Sequence, residues 1–403
     1  MNIIFFSNYK GFDESDYTTI IRVPFWTEVS KHIGSRGKIL IVNHPVSLLG
    51  MLYSYFYRLN RPIVFFSSAS KINNHLYTST PFSFFNFRLI QHSSVFLKLF
   101  RFHMSQVISK YMRRFKFDTT IPCVVVVSHP FHLVLKNLFE ETSFIYHCAD
   151  DFVLFNTKNI DKADILVKKQ ESKLVNEADI VFYTAKSMRE KFVRDNLEAY
   201  YLPNCVDFDL FNQVQGEKLP IDDIVQPIPQ PRIGFVGVLS NRCDVDLIHA
   251  LLTKRKDWSF VFIGKCGTNF EVEYNKLKVY TNFYDLGWQP YHRLPRFLKG
   301  IDVAILPYKT RGLLTSVNPN KMYQYMAAGI PIVSTPLSEA KRFEDCISIA
   351  DNVDGFIRAI ERNIDSPDFR RIKRQISLAR IESCENKAKY FLYKINEHLR
   401  GIA

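Results

Sequence analysis

Two short stretches of this 403-residue chain carry side chains whose type and spacing suit chemistry. Asn318-Pro319-Asn320-Lys321 opens the amphipathic run Asn320–Ala328. Asn318 or Asn320 can cap a helix there, and Pro319 suits its first turn. The unpaired N–H groups of a helix N-terminus attract anions, and Lys321 beside them adds a charge, which suits a diphosphate. Ala327-Ala328-Gly329 ends the run with the residue best able to turn left-handed, and Pro331 begins the next strand. The second stretch, Phe144–Asp151 (FIYHCADD), ends an apolar run in two carboxylates. Strand ends of this kind face the ligand crevice of an open α/β sheet. Asp150 can act there as a base or an electrostatic partner for a hydroxyl, while Asp151 can instead cap the next helix. His129, in Ser128-His129-Pro130, closes the preceding apolar run and is the second catalytic candidate. A hydrogen-bonded structural histidine is the alternative reading at 129.

The elements that must position these groups follow from periodicity. Asn2–Phe6, Lys38–Val42, Ile63–Ser67, Cys123–Ser128, Phe144–Cys148, Ile180–Thr184 and Ala199–Leu202 are short runs of Val, Ile, Phe and Tyr that predict buried strands. Helical patterns such as Val23–Ile33 and Asp161–Asn176 lie between them, and the alternation predicts a doubly wound α/β sheet. Pro220, Pro227, Pro229 and Pro231 then mark a linker, because proline fixes φ and donates no hydrogen bond. Alternation resumes beyond it. Strands are expected at Ile233–Val238, Ser259–Gly264, Lys278–Thr281, Val303–Pro307 and Ile332–Thr335. Helices are expected at Val245–Thr253, Leu294–Lys299, Asn320–Ala328 and Phe369–Leu399. Two successive α/β domains joined by a linker predict a ligand cleft between them.

Composition narrows the class. Hydrophobic residues make up 47%, enough for ordinary cores. No apolar run reaches the roughly 18 to 20 residues that span a bilayer. The opening MNIIFFSNYKGFDESD lacks a basic leader and is expected to be a first strand, not a signal peptide. The seven cysteines form no CxxC pair and are odd in number, so reduced thiols in a cytosolic protein are expected, without a disulfide framework or zinc cage. The net charge is +13, yet no Asp or Glu occurs from Val29 to Phe117, a stretch with 13 Lys and Arg. The whole excess belongs to that region, so its partner should be anionic. Residues 81–117 alone hold nine Phe and seven Lys or Arg, a mixture suited to a membrane interface. The competing reading is an amphipathic helix whose Phe face is core. None of the familiar nucleic-acid-binding motifs occurs, and no nucleic acid partner is expected.

In the second half, IGFVGVL (Ile233–Leu239), FVFIGK (Phe260–Lys265), DLGWQPYHRLPRFLKGIDVAILPY (Asp285–Tyr308) and SVNPNKMYQYMAAGIPIVST (Ser316–Thr335) occur in order. This series resembles the donor-binding half of glycosyltransferase family 4, in particular the branch with the teichuronic-acid and capsule-type transferases. The resemblance covers Arg232 to Ile364. It implies the GT-B fold, two Rossmann-like doubly wound domains facing a central cleft. The expected division is an acceptor-binding domain 1–212, a linker 213–231, a donor-binding domain 232–380, and a C-terminal helix 381–403 packing back on the first domain.

The resemblance also implies roles. Gly237 would let backbone approach a ligand. The Gly287–Trp288 turn would hold the nucleotide base by main-chain contacts. Asn318, Lys321, Arg242 and Lys265 would steady the phosphates. The family's pair of Glu residues eight positions apart falls on Ser316 and Gln324; Gln324 can still bond a ribose hydroxyl, whereas Ser316 cannot replace a carboxylate at the sugar. The family's arginine after the first glycine turn falls on Val238, and Arg242 lies close enough to substitute. In the first half the resemblance is architectural: Glu177–Thr184 looks like the strand before the linker. Leu202-Pro203-Asn204-Cys205-Val206-Asp207 looks like the family's Pro-Asn-Gly-Val-Asp turn, with Cys205 in place of glycine. Asp13 and Glu14 fall where its acceptor loop would be. The implied reaction is transfer from a UDP-, GDP- or dTDP-sugar to a glycan or lipid-linked acceptor. It would need no permanently bound cofactor and no metal, and would run in the cytoplasm on the inner face of the cell membrane. The rivals are an epimerase of the same fold and a catalytically impaired membrane-associated nucleotide binder.

Overall fold

The computed structural model describes residues 1–7, 17–47, 68–83, 93–150, 162–310 and 316–402. The expected strand Ile63–Ser67, the candidates Asp13, Glu14 and Asp151, and residues 84–92 of the basic aromatic region lie outside these. The chain divides into two compact units. Unit 1 comprises Met1–Thr184, Met188–Leu202 and Ala388–Ala403; unit 2 comprises Ala185–Ser187 and Pro203–Lys387.

In unit 1 the elements run β1 (Asn2–Phe6), α1 (Tyr17–His32), β2 (Ile39–Val42), β3 (Val46–Ser47), β4 (Ser68–Lys71), β5 (Leu76–Thr80), β6 (Phe82–Ser83) and α2 (Ser94–Arg114). They continue as β7 (Cys123–Val127), β8 (Ser143–Cys148), α3 (Lys162–Glu177), β9 (Ile180–Tyr183), α4 (Arg189–Val193) and β10 (Ala199–Tyr201). Eight strands form one sheet in the order β10-β9-β8-β7-β1-β2-β5-β4, parallel except at the β4–β5 edge; β3 and β6 pair separately. β1 sits at the centre, with Ile4 against Leu40 on one side and Val125 on the other. Ile3, Ile4, Val124 to Val127 and Ile145 are wholly buried, which is why these strands are continuous apolar runs without alternation. From β1 the chain steps outward one way through β2 and the other way through β7, so the order reverses between β1 and β7.

Unit 2 contains α5 (Phe208–Asn212), β11 (Arg232–Val236), α6 (Val245–Lys254), β12 (Ser259–Ile263), α7 (Glu271–Leu277), β13 (Phe283–Asp285), α8 (Leu294–Leu298) and β14 (Val303–Leu306). It continues as α9 (Asn320–Ala328), β15 (Ile332–Ser334), α10 (Ser338–Lys341), β16 (Ser348–Ile349), α11 (Val353–Asp365) and α12 (Phe369–Ile381). Its parallel sheet runs β13-β12-β11-β14-β15-β16 and reverses between β11 and β14. Aspartate or asparagine caps α6, α11 and α12: Asp244 accepts from Leu247 N, Asn352 from Gly355 N and Asp368 from Arg370 N. A last helix, α13 (Cys384–Ile402), begins in unit 2, and from Ala388 onward it belongs to unit 1. There the Phe391 ring meets Trp26 at 5.7 Å and Phe182 at 4.9 Å.

Four expectations differ from the structure. Lys278–Thr281 is not a strand. Lys278 ends α7, Tyr280 turns back onto Leu277 O, and pairing with β12 starts at Phe283, whose ring packs 4.7 Å from Phe262. Phe369–Leu399 is two helices, interrupted at Glu382–Ser383, where Ser383 pairs with Val206. Residues 213–231, expected as a linker, pack on unit 2: Val225 and Ile228 are buried, and buried Asp222 accepts from Arg293 at 2.8 Å. The cysteines are not all thiols, because Cys205 and Cys384 form a disulfide 179 residues apart in sequence. Spacing could not reveal it, since tertiary folding alone brings their Cα atoms to 4.8 Å.

Candidate active site

The order reversal in unit 2 places the C-terminal ends of β11 and β14 side by side, the position where open α/β sheets bind ligands. Gly237 follows β11, Tyr308 follows β14, and α9 starts nearby. Lys321, in the first turn of α9, brings the three together. Its Nζ donates to Tyr308 Oη at 2.7 Å and lies 4.2 Å from the centre of the Phe235 ring. Gly237 has φ +137, and a Cβ there would stand 2.5 Å from Lys321 Nζ. The lysine can cross the end of β11 because no side chain occupies it. Gly264, which ends β12 with φ +159, is as constrained: its Cβ would fall 1.8 Å from Gly237 O. Gly237 N donates to Ile263 O and Gly264 N to Gly287 O, both at 2.8 Å, so three neighbouring strand ends are joined through backbone. Val236 N donates to Tyr325 Oη at 2.7 Å and pins α9 against β11.

No carboxylate pairs with Lys321 among the described residues. Burial lowers its pKa to about 8; Cys243 opposes the shift and the Arg242 guanidinium adds to it. Arg242 is exposed, and its carbonyl accepts from Lys309 N. Lys265 Nζ lies 5.5 Å from the Trp288 ring centre, so these two residues form a second group at the ends of β12 and β13. Trp288 Nε1 is buried and finds no hydrogen-bond partner among the described residues. Neither asparagine caps α9, contrary to expectation: Pro319 occupies the cap position, and the Asn318 and Asn320 side-chain oxygens accept no hydrogen bond among the described residues. The N–H groups of its first turn are therefore not spent on either asparagine. Asn318 is buried, and its carbonyl accepts Asn204 Nδ2 at 2.7 Å. Ser316 shares a hydrogen bond with Ser187 at 3.2 Å, and Gln324 is buried within α9. Gly329 ends the helix in the left-handed conformation at φ 64. Tyr308, Tyr325 and Gly264 escaped sequence reasoning. Only Gly264 left a signal, a second strand ending in glycine, like Gly237.

In unit 1, His129 follows β7 and Asp150 follows the adjacent parallel strand β8. His129 Nδ1 accepts from Phe131 N at 3.2 Å and so caps the helical turn Pro130–Leu135. Burial, with His44 second, brings its pKa down to about 4, so the ring is neutral at pH 7. His132, 5.8 Å away between ring centres, is held well below its usual value by burial, then by His129 and His44. Sequence reasoning missed both His44 and His132, which nothing in their spacing marks. Asp150 is half-buried, and its carbonyl accepts the Cys148 thiol at 3.2 Å. Below it, buried Glu171 takes Tyr146 Oη at 2.9 Å and Lys191 Nζ at 2.6 Å, which fixes the end of β8. Among the described residues, no cluster of three or more His, Cys, Asp or Glu is placed to hold a metal ion.

Known proteins resemble this chain in family pattern and in fold. Residues 230–366 match the model of the family described as Glycosyl transferases group 1. TuaH of Bacillus subtilis (strain 168), named as a glycosyltransferase of teichuronic acid biosynthesis, is 24% identical over 233 residues; the alignment spans 55% of this chain and 57% of TuaH. Sucrose-phosphate synthase of Thermosynechococcus elongatus superposes with a TM-score of 0.68 at 12% identity over 100% of both chains. Anabaena HepE with UDP and glucose superposes with 0.60 at 12% identity, over 98% of this chain and 99% of that one. At such identities these structures show the fold alone. The match over residues 230–366 and the TuaH alignment make the chain similar to glycosyltransferases of the family 4-like kind, and its two sheets of Rossmann strand order share the GT-B fold of the superposed structures.

Proposed function

We propose that the protein moves a sugar from a nucleotide-diphosphate sugar to a hydroxyl of a surface glycan or lipid-linked acceptor. The observation that carries this reading is Lys321. Its ammonium lies against Gly237 at the sheet's switch point, in the first turn of a helix without a side-chain cap. A leaving diphosphate fits such a place, because the ammonium and helix N–H groups stabilise charge that grows as the glycosidic bond breaks. Arg242, Lys265 and Asn318 would join Lys321 at the phosphates, Trp288 and Gly287 would offer a surface for the base, and Gln324 would contact ribose or sugar. HepE is seen with UDP and with UDP-glucose, which makes UDP the first donor to test. In unit 1, Asp150 serves as base for the acceptor hydroxyl, and neutral His129 as hydrogen-bonding partner.

A membrane-bound acceptor is supported by α2. Phe100, Met104, Ile108 and Tyr111 form its buried stripe, while Val95, Phe96, Leu99 and Phe102 stand exposed on the outer side. Lys98, Lys110, Arg113 and Arg114 are exposed as well. No helix among the described residues is long and apolar enough to cross a membrane. An apolar, basic and acid-free helix face fits the surface of an anionic bilayer. TuaH, named for teichuronic acid biosynthesis, supports the same acceptor class. The test is a thermal-shift screen with UDP, GDP, dTDP, CMP and their sugars. Stabilisation by at least one nucleotide is expected; no stabilisation by any would remove the donor site.

A further inference from the structure

Cys205 and Cys384 both sit where the chain passes between units. Unit 1 gives way to unit 2 between Leu202 and Pro203, and unit 2 gives way to unit 1 between Lys387 and Ala388. Their disulfide therefore closes a covalent ring around the whole of the β11–β16 sheet and α9. Two backbone bonds run beside it: Val206 N to Glu382 O at 3.2 Å and Cys384 N to Val206 O at 2.9 Å. One residue before Cys205, Asn204 reaches the Asn318 carbonyl at the entry to α9. The disulfide is thus one residue and one hydrogen bond from Asn318, which stands two residues before α9.

Four of the other five cysteines are poor rivals for oxidation. Burial pushes the Cys123 and Cys346 thiols up to about 12 and raises Cys243 and Cys266, and the thiolate is the form that reacts. Cys205 is only half-buried, whereas Cys384 is 3% exposed. An incoming thiolate reaches the Cys205 sulfur and leaves Cys384 as the departing thiol. In a reducing compartment, a disulfide of this kind is a sensor more often than a permanent brace.

We propose that the Cys205–Cys384 pair is a reversible thiol–disulfide switch that locks the start of α9. On closure, the two Sγ atoms join, and two protons and two electrons pass to a disulfide oxidant, R–S–S–R, which leaves as two thiols. A dithiol reverses the step. The closed form holds Asn204 on the Asn318 carbonyl and keeps the first turn of α9 in register with Gly237. The consequence for donor affinity rests on the donor-site reading; the locking does not.

The test uses the full chain poised in glutathione buffers, with non-reducing peptide mapping to read the bond. Hydrogen exchange is followed in peptides spanning 316–324, and UDP binding by calorimetry. In reduced protein those amides should exchange about 3- to 10-fold faster than in oxidised protein, and reoxidation should restore protection. Cys384→Ser should show the fast rate under both conditions, and Cys205→Gly provides a second variant if that one folds poorly. UDP affinity should fall by a similar factor on reduction. A bond that resists excess dithiol in the folded protein, thiols that stay unpaired in oxidised glutathione, or equal exchange in both forms overturns the switch. If no nucleotide binds in either form while the exchange difference persists, the donor-site reading fails and the switch stands.

Discussion

Lys321 keeps an ammonium against an aromatic ring and a phenol, with its pKa brought down to about 8 mainly by burial. Below that pH the free protein carries the charge, and as pH rises through about 8 the charge is lost. UDP affinity should therefore be steady near neutrality and weaken above about pH 8, and Lys321→Met should abolish the pH dependence. The sign for stability is opposite. The unfolded lysine holds its proton up to its ordinary value of 10.5, so the unfolded state binds more protons between about 8 and 10.5, and stability rises across that window. Lys321→Met should accordingly raise the melting midpoint while weakening UDP binding. The affinity loss should be roughly 10- to 100-fold, the worth of a charge-assisted hydrogen bond. Gly237→Ala should weaken binding too and cost about 1–3 kcal/mol of stability, because φ +137 strains alanine and its Cβ displaces Lys321. Calorimetry and chemical unfolding of both variants check this. Asp150→Asn should leave UDP affinity unchanged and lower turnover by about 100-fold or more; full turnover would remove Asp150 as the base.

At the scale of the element, α2 offers a contrast between two phenylalanines. Phe100 is 1% exposed and Phe102 is 66% exposed. The expectation that the Phe face is core and the expectation that it meets a membrane each describe part of this helix. Periodicity reports a stripe, but only the packed neighbours show which rings it contains. Phe100→Ala should destabilise unit 1 by about 3–5 kcal/mol with little direct effect on vesicle binding. Phe102→Asp should change stability by about 0.5 kcal/mol or less, yet lower partitioning onto phosphatidylglycerol vesicles by about 10-fold or more. Equal sedimentation of Phe102→Asp and wild type with those vesicles would end the membrane reading. Replacing Lys110 and Arg113 by Glu should act in the same direction and flatten the dependence on salt.

For the whole molecule, the two units repeat one architecture, a parallel sheet that reverses direction beside its first strand. In unit 1 His129 follows β7 at that reversal and Asp150 follows β8, one strand further out; in unit 2 Gly237 follows β11 at the reversal and Lys321 of α9 lies against it. A ligand that binds the native form stabilises it by mass action, about 2.7 kcal/mol at 100 times its dissociation constant. Saturating UDP should therefore raise exchange protection across 203–387 and leave the strands of 1–202 unchanged. Protection confined to the first unit would assign the nucleotide to the wrong half.

Much of this was legible in the residues themselves. The strands Asn2–Phe6 and Cys123–Val127 are unbroken apolar runs because both faces are buried, and Asn320–Ala328 announces itself by proline before and glycine after. Local backbone chemistry sets these features, so sequence alone determined them, and with them the doubly wound pattern and the positions of Gly237 and Lys321. Sequence could not determine that Lys321 would rest on Tyr308, thirteen residues before it, or that His44 and His132 would close around His129. Nor could it show that Cys205 would find Cys384. Those partners are set by the order of strands in a sheet and the packing of helices over it. Such contacts leave no periodicity in the chain, and only the tertiary structure decided them.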